Sequence, residues 1–371
     1  MKFLIKKTNI HKSLSHIQGI VDKKNSLPIL SNILIEADNN NLILSSTDMD
    51  ISIIEKISCD VIEKGSTTIN AQMFYDIIRK LHEDSEIEVI SNDGKLLTVR
   101  SNGSRFSLAC LPKEDFPIID QEIQGNNISI QSNIFYKLID KTKFAISNEE
   151  TRYFLNGIYF NVSSENEKNY ITLVGTDGHR LAKFSHELDD KNDLIPGVII
   201  PKKTIFELSK LLSEINEKIE INISSSRIVF YINNLILTSK LIDGNFPDYK
   251  RVIPDNNDSV LEINRINLLS AVDRVSTIAN EKSPVIKFNI LENIINLNTV
   301  NNENSTATED LDANYNGKNI EIGFNSKYVM DIINNLEDDN IFINLKDNSS
   351  PITISEKSKP NLIYVLMPMR V

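Results

Sequence analysis

A chain of 371 residues, 40% apolar and 25% charged, has the make-up of a folded globular protein and exceeds what one hydrophobic core usually serves, so two or three domains are expected. Its 40 lysines and arginines against 51 aspartates and glutamates leave a net charge of −11, which speaks against a uniformly basic nucleic-acid binder. Two cysteines and five histidines, without CxxC or HExxH spacing, exclude a disulfide framework and argue against a metal enzyme; a start without an apolar core, and no apolar run approaching ~18 residues, point to a cytoplasmic protein with no membrane contact.

In chain order, residues 9–21 are helix-like, and Ile33-Leu34-Ile35, Leu42-Ile43-Leu44 and Thr47-Asp48 follow as strand-like hairpins. Asn70 then caps a helix whose apolar residues Phe74, Ile77, Ile78 and Leu81 recur at helical spacing. Ile87 and Val89, Leu97 and Val99, then Phe106 and Leu108 alternate with polar residues. Asp93-Gly94 and Asn102-Gly103 between them are hairpin turns. The stretch closes at Phe116-Pro117.

The series then occurs again. Residues 133–146 are helix-like, and Ile158-Tyr159-Phe160, Ile171-Thr172-Leu173 and Thr176-Asp177 match the first hairpins. Pro201 reads as the first residue of a helix carrying Ile205, Leu208 and Leu212. Alternating runs at 219–223, 228–232 and 235–237 lead to Phe246-Pro247. A third round has a helix-like stretch near 264–279 and an Asn325-capped helix with Val329, Ile332, Ile333 and Leu336. Alternating runs at 341–345, 352–354 and 362–366 lead to Met367-Pro368.

Phe74, Ile205 and Val329 lie 131 and then 124 residues apart, about a third of the chain each time. The sequence therefore predicts three similar α+β domains, each with helices on one face of antiparallel sheet. Their expected bounds are 1–122, 128–250 and 251–371. Such helical faces are free to line a hole. Six helices, each roughly 10 Å across, leave a bore of about 9 Å, whereas twelve from two chains leave about 28 Å, enough for a hydrated duplex. A homodimeric ring is the favoured assembly.

Charge is distributed unevenly along the repeats. Residues 2–24 carry Lys2, Lys6, Lys7, Lys12, Lys23 and Lys24 against Asp22 alone. The second repeat's helices hold Lys137, Lys141, Lys143, Lys202, Lys203 and Lys210 against Asp140 and Glu207. Solvated helix faces account for this pattern. So does a bore that encloses a duplex through few phosphate contacts and therefore slides.

Several motifs carry a family resemblance. Met1-Lys2-Phe3, Leu27-Pro28-Ile29-Leu30-Ser31-Asn32, Ser104-Arg105-Phe106-Ser107-Leu108 and Tyr153-Phe154-Leu155-Asn156-Gly157 resemble the bacterial sliding clamps, the β subunits of DNA polymerase III. So do Thr176-Asp177-Gly178-His179-Arg180-Leu181, Ser239-Lys240-Leu241, Phe246-Pro247-Asp248-Tyr249, Glu321-Ile322-Gly323-Phe324-Asn325 and the terminal Met367-Pro368-Met369-Arg370-Val371. They fall in order from end to end. The resemblance implies a clamp fold of three domains per chain and a head-to-tail dimeric ring around double-stranded DNA. It also implies no catalysis and no cofactor. The partners it implies are the polymerase III catalytic subunit, a clamp loader, and other polymerases and repair proteins with clamp-binding peptides.

Carried over by motif, the resemblance assigns a peptide cleft to Leu155, Thr176, Gly178, His179, Arg180, Leu181, Pro247, Arg251 and Val252. Asn325, Tyr328, Val365, Met367, Pro368, Met369 and Arg370 come to it from the third domain, and Ser283, Ser349 and Pro351 fall on its rim. DNA-facing roles go to Lys24, Tyr153, Phe154, Lys202 and Lys203, and to Glu149, an acid that would repel phosphate. The subunit joint would use Arg100, Arg105, Phe106 and Leu108 against Ile278, Glu303, Glu309, Asp310 and Asp312.

Plainer readings stand beside these. Asp177-Gly178 alone is a hairpin turn, Leu366–Val371 could be an edge strand or a frayed end, and the arginines of the last first-repeat hairpin could be solvated. Thr47-Asp48 recurs at the matching place in the first repeat, so Thr-Asp serves the fold, and Gly178-His179-Arg180 is peculiar to the second. A hydrolase would need a nucleophile beside Asp177 and His179, which read as neighbours on one strand, and no GxSxG, phosphate-loop or dinucleotide motif occurs. A monomeric peptide-binding scaffold fits the acidity equally and is separated from a dimer by size.

Overall fold

The structure is a computed structural model describing residues 1–21, 27–119, 124–188, 194–280, 284–301 and 305–370. The first repeat runs β1 (Lys2–Lys6), α1 (Lys7–Ile17), β2 (Asn32–Asp38), β3 (Asn41–Thr47), β4 (Ile51–Ser58), β5 (Asp60–Glu63), β6 (Gly65–Asn70), α2 (Ala71–Lys80), β7 (Glu86–Ile90), β8 (Leu96–Ser101) and β9 (Ser104–Ala109). The second runs β10 (Asn126–Gln131), α3 (Ser132–Asp140), β11 (Gly157–Glu165), β12 (Lys168–Thr176), β13 (Arg180–Glu187), β14 (Ile195–Pro201), α4 (Lys202–Leu212), β15 (Lys218–Ile223), β16 (Arg227–Ile232) and β17 (Leu235–Lys240). The third runs β18 (Ser259–Asn264), α5 (Arg265–Ser276), β19 (Val285–Leu291), β20 (Ile294–Val300), β21 (Thr306–Asp312), β22 (Ile320–Asn325), α6 (Ser326–Asn334), β23 (Asn340–Leu345), β24 (Ile352–Ser355) and β25 (Leu362–Leu366).

Each repeat opens on a strand, β1, β10 or β18, that helical periodicity alone does not reveal. These strands have only five or six residues and pass directly into a helix, so their alternation is cut short by the helical spacing of the next element. Asn70 and Asn325 do cap their helices, accepting from Met73 N–H at 2.9 Å and Lys327 N–H at 3.0 Å. Pro201 ends β14 instead of opening α4, and α1 stops at Ile17, short of residue 21.

The chain forms two compact units, 1–136 with 203–241, and 137–202 with 242–371. The first holds a sheet β5-β1-β7-β8-β9 and an eight-stranded sheet β10-β15-β16-β17-β4-β3-β2-β6. The second holds β14-β11-β12-β13-β25-β24-β23-β18 and β21-β20-β19-β22. Strands from two repeats thus meet edge to edge inside one sheet: β4 on β17 with Ile53 opposite Leu237, and β13 on β25 with Leu181 opposite Val365. All named pairings are antiparallel, which lets one face of each sheet be packed by helices and the other face outward.

The apolar periodicity of the sequence is the core. Phe74 and Ile78 of α2, Ile205, Leu208 and Leu212 of α4, and Val329, Ile332 and Ile333 of α6 are buried. Burying each such side chain contributes roughly 1.5–3 kcal/mol relative to exposure. In the second unit α5 and α6 bury Leu268, Val272 and Ile332 against Phe288, Ile322 and Phe324 of β19 and β22. No helix among the described residues is long and apolar enough to cross a membrane. Cys59 and Cys110 are free thiols, and burial pushes Cys59 up to about 11, away from the reactive thiolate.

Candidate functional site

The β12–β13 turn in the second unit is built by side-chain hydrogen bonds to its own backbone. Thr176 Oγ1 donates to the Arg180 carbonyl at 2.6 Å and accepts from Gly178 N–H at 3.1 Å. Asp177 Oδ1 accepts from His179 N–H at 2.9 Å and Arg180 N–H at 3.0 Å. Asp177 and His179 therefore belong to a turn and not to one strand, because the carboxylate is spent on turn geometry.

The β3–β4 turn of the first unit repeats this bond for bond. Thr47 Oγ1 donates to Ile51 O at 3.0 Å and accepts from Met49 N–H at 3.0 Å. Asp48 Oδ1 accepts from Asp50 N–H at 2.9 Å and Ile51 N–H at 2.8 Å. Thr-Asp makes the turn in both, and the two copies part at the third residue, Met49 in one and Gly178 in the other.

Gly178 has φ +88°, and a Cβ there would sit 2.6 Å from Arg152 Nη1. The glycine opens both backbone angle and space. Beside it, Arg180 is largely buried and donates to Asp177, Asp331 and the Phe144 carbonyl. Its guanidinium lies 4.5 Å from the Tyr328 ring centre and 5.1 Å from that of Phe144. Its charge ties β13 to α6, and only its flank is offered to the surface.

Beneath the turn lies an apolar cavity of about 160 Å³. Leu155, Thr176, Gly178, Arg180, Leu181, Pro247, Val252, Val365 and Met367 line it, with Phe246 and Tyr249. Residue-by-residue matching misses the last two, although both sit in the Phe-Pro-Asp-Tyr motif. Tyr249 is buried, and that burial pushes its hydroxyl up to about 12.

The other expected cleft residues stand outside this lining. The His179 ring is exposed and stacks on Tyr328, centroids 6.2 Å apart. Arg251 is exposed and paired with Asp248 at 2.9 Å. Asn325 is occupied as the α6 cap. Ser349 N–H is held by Asp347 at 2.9 Å, and the Pro351 carbonyl accepts from Asn257 at 3.0 Å. Met367 N–H donates to His179 O at 2.9 Å and Met369 N–H to Gly323 O at 2.8 Å. Pro368 is half-buried and Arg370 exposed between and after these anchors. The terminal strand β25 is thus an interior strand, and the tail beyond it is pinned at two points. Ser283 and Val371 lie outside the described residues.

Among the DNA-facing candidates, Tyr153 is exposed and packs edge-on to half-buried Phe154 at 5.8 Å. Glu149 is bound by Arg152 at 2.6 Å, and this hydrogen bond holds its carboxyl below the usual range. The acid that reads as repelling phosphate is compensated. Lys202 donates to Asn148. Lys203 is engaged by Asp48 at 2.6 Å and the Ile20 carbonyl at 2.7 Å. Lys24 lies outside the described residues.

The joint candidates sit at sheet edges. In β9, Arg105 faces Arg100 across the pair with β8, and Arg100 reaches Glu88 at 3.4 Å. Like charges opposite each other favour an external counter-charge. Phe106 is half-buried, but Leu108 is only 7% exposed and belongs to the chain's own core. Edge strand β21 carries Glu309, Asp310 and Asp312, with Glu309 held by Arg274 at 3.0 Å. Ile278 is half-buried, and Glu303 lies outside the described residues.

Three copies of one α+β series, joined through shared sheets and bearing an apolar surface cavity, define a repeat-built docking protein. Family profiles described as DNA polymerase III beta subunit match residues 1–120 (N-terminal domain), 129–248 (central domain) and 250–370 (C-terminal domain). The beta sliding clamp of Caulobacter vibrioides is 38% identical over 372 residues, and that of Escherichia coli 35% over 374, each covering all of both chains. A sliding clamp from Bartonella birtlesii, solved bound to griselimycin, aligns over all of both chains at 40% identity with a TM-score of 0.96. The Caulobacter crescentus clamp aligns at 38% identity and TM-score 0.97, over all of this chain and 99% of its own. The chain belongs to the DNA polymerase III beta subunit family.

Proposed function

We infer that this chain is a DNA sliding clamp: two copies close head to tail around duplex DNA and tether the DNA polymerase III catalytic subunit to its template. It performs no reaction of its own. A clamp loader places it on DNA, and other polymerases and repair proteins with clamp-binding peptides share it. Its setting is the cytoplasm, away from membranes, and it needs no cofactor. Its three clamp domains span 1–122, 128–250 and 251–371.

The observation that carries this reading is the apolar cavity under the Thr176–Leu181 turn, in a chain whose whole length follows the family. An open, mostly apolar pocket lined by aliphatic and aromatic side chains suits the leucine and phenylalanine side chains of a docked peptide. Met367 of the tail closes part of its wall, and methionine adapts its shape to varied occupants. His179, Tyr328, Arg251 and Arg370 extend the docking surface around the mouth.

Two sheet edges support the dimer. The exposed edge strand β9 presents Arg105, with Arg100 facing it from the adjacent strand β8, and the exposed edge β21 presents Glu309, Asp310 and Asp312. Long unpaired edges invite pairing with another chain, and their opposite charges select each other. Phe106 and Ile278 supply apolar contact, which outweighs exposed ion pairs of about 0–1 kcal/mol each. DNA-facing roles fall to Tyr153, Phe154, Lys202, Lys203 and Lys24.

Primer extension on a long circular template tests the whole reading. With loader, ATP and polymerase, adding the chain should carry synthesis to full length in one binding event. Short products unchanged by its addition would refute it.

A further inference from the structure

Lys183 lies two residues past Leu181 on β13, so both side chains share one face of the sheet. Directly across its two neighbouring strands are Val174 and Ile363. Both belong with Leu181, Tyr249 and Val365 to the apolar cluster that floors the cavity. Close by, Tyr159 stacks on Phe246 with centroids 5.0 Å apart and packs on Tyr249 at 5.7 Å. Tyr159 fits there only because Gly197 has no side chain, since a Cβ would meet its hydroxyl at 2.0 Å. An aromatic and aliphatic floor therefore continues past the cavity, and a single lysine stands in it.

This lysine has no ion pair within the described residues. Burial lowers its proton affinity, Glu165 acts on it only from a distance, and Lys250 adds a like charge. A half-buried ammonium without a counter-ion is costly, and a carboxylate delivered to it recovers part of that cost. Serving the fold alone, this position between Val174 and Ile363 would be better filled by an apolar residue.

We propose that Lys183 is a specificity residue of the peptide cleft, pairing with a carboxylate that the docked peptide carries just beyond its apolar anchors. This rests on the cleft reading. The carboxylate is supplied by an aspartate or glutamate side chain or by the peptide's own C-terminus.

Fluorescent peptides anchored by leucine and phenylalanine, titrated into the full-length chain, separate the cases. One is neutral and amidated, two carry aspartate on the N- or C-terminal flank, and one ends in a free carboxylate. At least one acidic form should bind about three- to tenfold tighter than the neutral form, a preference that fades at high salt. Lys183→Met should bring the acidic-to-neutral ratio near one, and Lys183→Arg should restore it. The form that gains identifies the source of the carboxylate. Neutral and acidic peptides binding alike to the native chain, or a preference surviving in Lys183→Met, would overturn the proposal alone. No binding by any peptide would overturn the cleft reading itself.

Discussion

Gly178 and Met49 hold the same place in two copies of one turn, with φ of +88° and +80°. The Thr-Asp pair before each makes the same four hydrogen bonds. A non-glycine residue at positive φ costs roughly 1–2 kcal/mol, yet the first copy tolerates methionine. Glycine at 178 is therefore not demanded by the turn itself. Its bare Cα instead leaves room for the Arg152 guanidinium and keeps the cavity lining open.

Gly178→Met should accordingly leave the fold intact, with a melting temperature lowered by a few degrees. Peptide affinity should fall tenfold or more, because the new side chain displaces Arg152 or enters the cavity. Titration beside a thermal melt reads both. Unchanged affinity would remove Gly178 from the cleft.

Truncation after Leu366 deletes Met367 from the cavity wall and the backbone bonds to His179 and Gly323. Strand β25 keeps both its neighbours. Peptide binding should be abolished while sedimentation still reports a dimer near 84 kDa, about twice 42.1 kDa. Retained affinity would show that the tail is not part of the docking surface.

Arg105→Glu should stabilise the separate chain slightly and weaken the dimer. Within the chain it replaces an arginine pair facing across β8 and β9 by opposite charges, worth a few tenths of a kcal/mol. At the joint it sets an acid against acidic β21. Sedimentation should show monomer at concentrations where the native chain is dimeric, without loss of melting temperature in the monomer. Leu108→Asp is a poorer probe, since a residue 7% exposed in one chain would unfold its own sheet.

His16 joins α1 to β4 and the end of α4 through Glu55 at 3.0 Å and Glu214 at 3.5 Å. Burial opposes its charging, but the hydrogen bond and charge of Glu55, with Glu214, outweigh burial and raise it above 6.5. A raised folded value means this contribution is fully present below about pH 6.5 and lost as pH rises through the raised value. Urea midpoints should drop between pH 6 and pH 8, and His16→Gln should flatten that part of the profile. A native profile flat over this range would contradict the pairing.

The repeat was legible because core positions keep helical spacing in all three copies, from Phe74 to Val329, and because Asn-Gly and Asp-Gly turns punctuate the strands. The opening strands were not legible, since a few alternating residues merge into the next helix. Sheet sharing between repeats, such as β13 on β25, joins residues far apart in sequence, and local pattern carries no register. At the site, motif matching found Leu155, Leu181 and Val365 but passed over Phe246 and Tyr249. It also could not foresee that Asn325 is spent as a cap or that Lys203 is engaged by Asp48. Those depend on which partner a side chain meets in space.

On the proposed function the chain holds DNA topologically, by surrounding it, which an acidic total charge does not prevent. The most direct measurement loads the chain onto nicked circular DNA with clamp loader and ATP, then compares retention before and after one cut by a restriction enzyme. Retention through gel filtration on the circle, and loss within minutes of linearisation, is the predicted result. Equal retention on circular and linear DNA would contradict it.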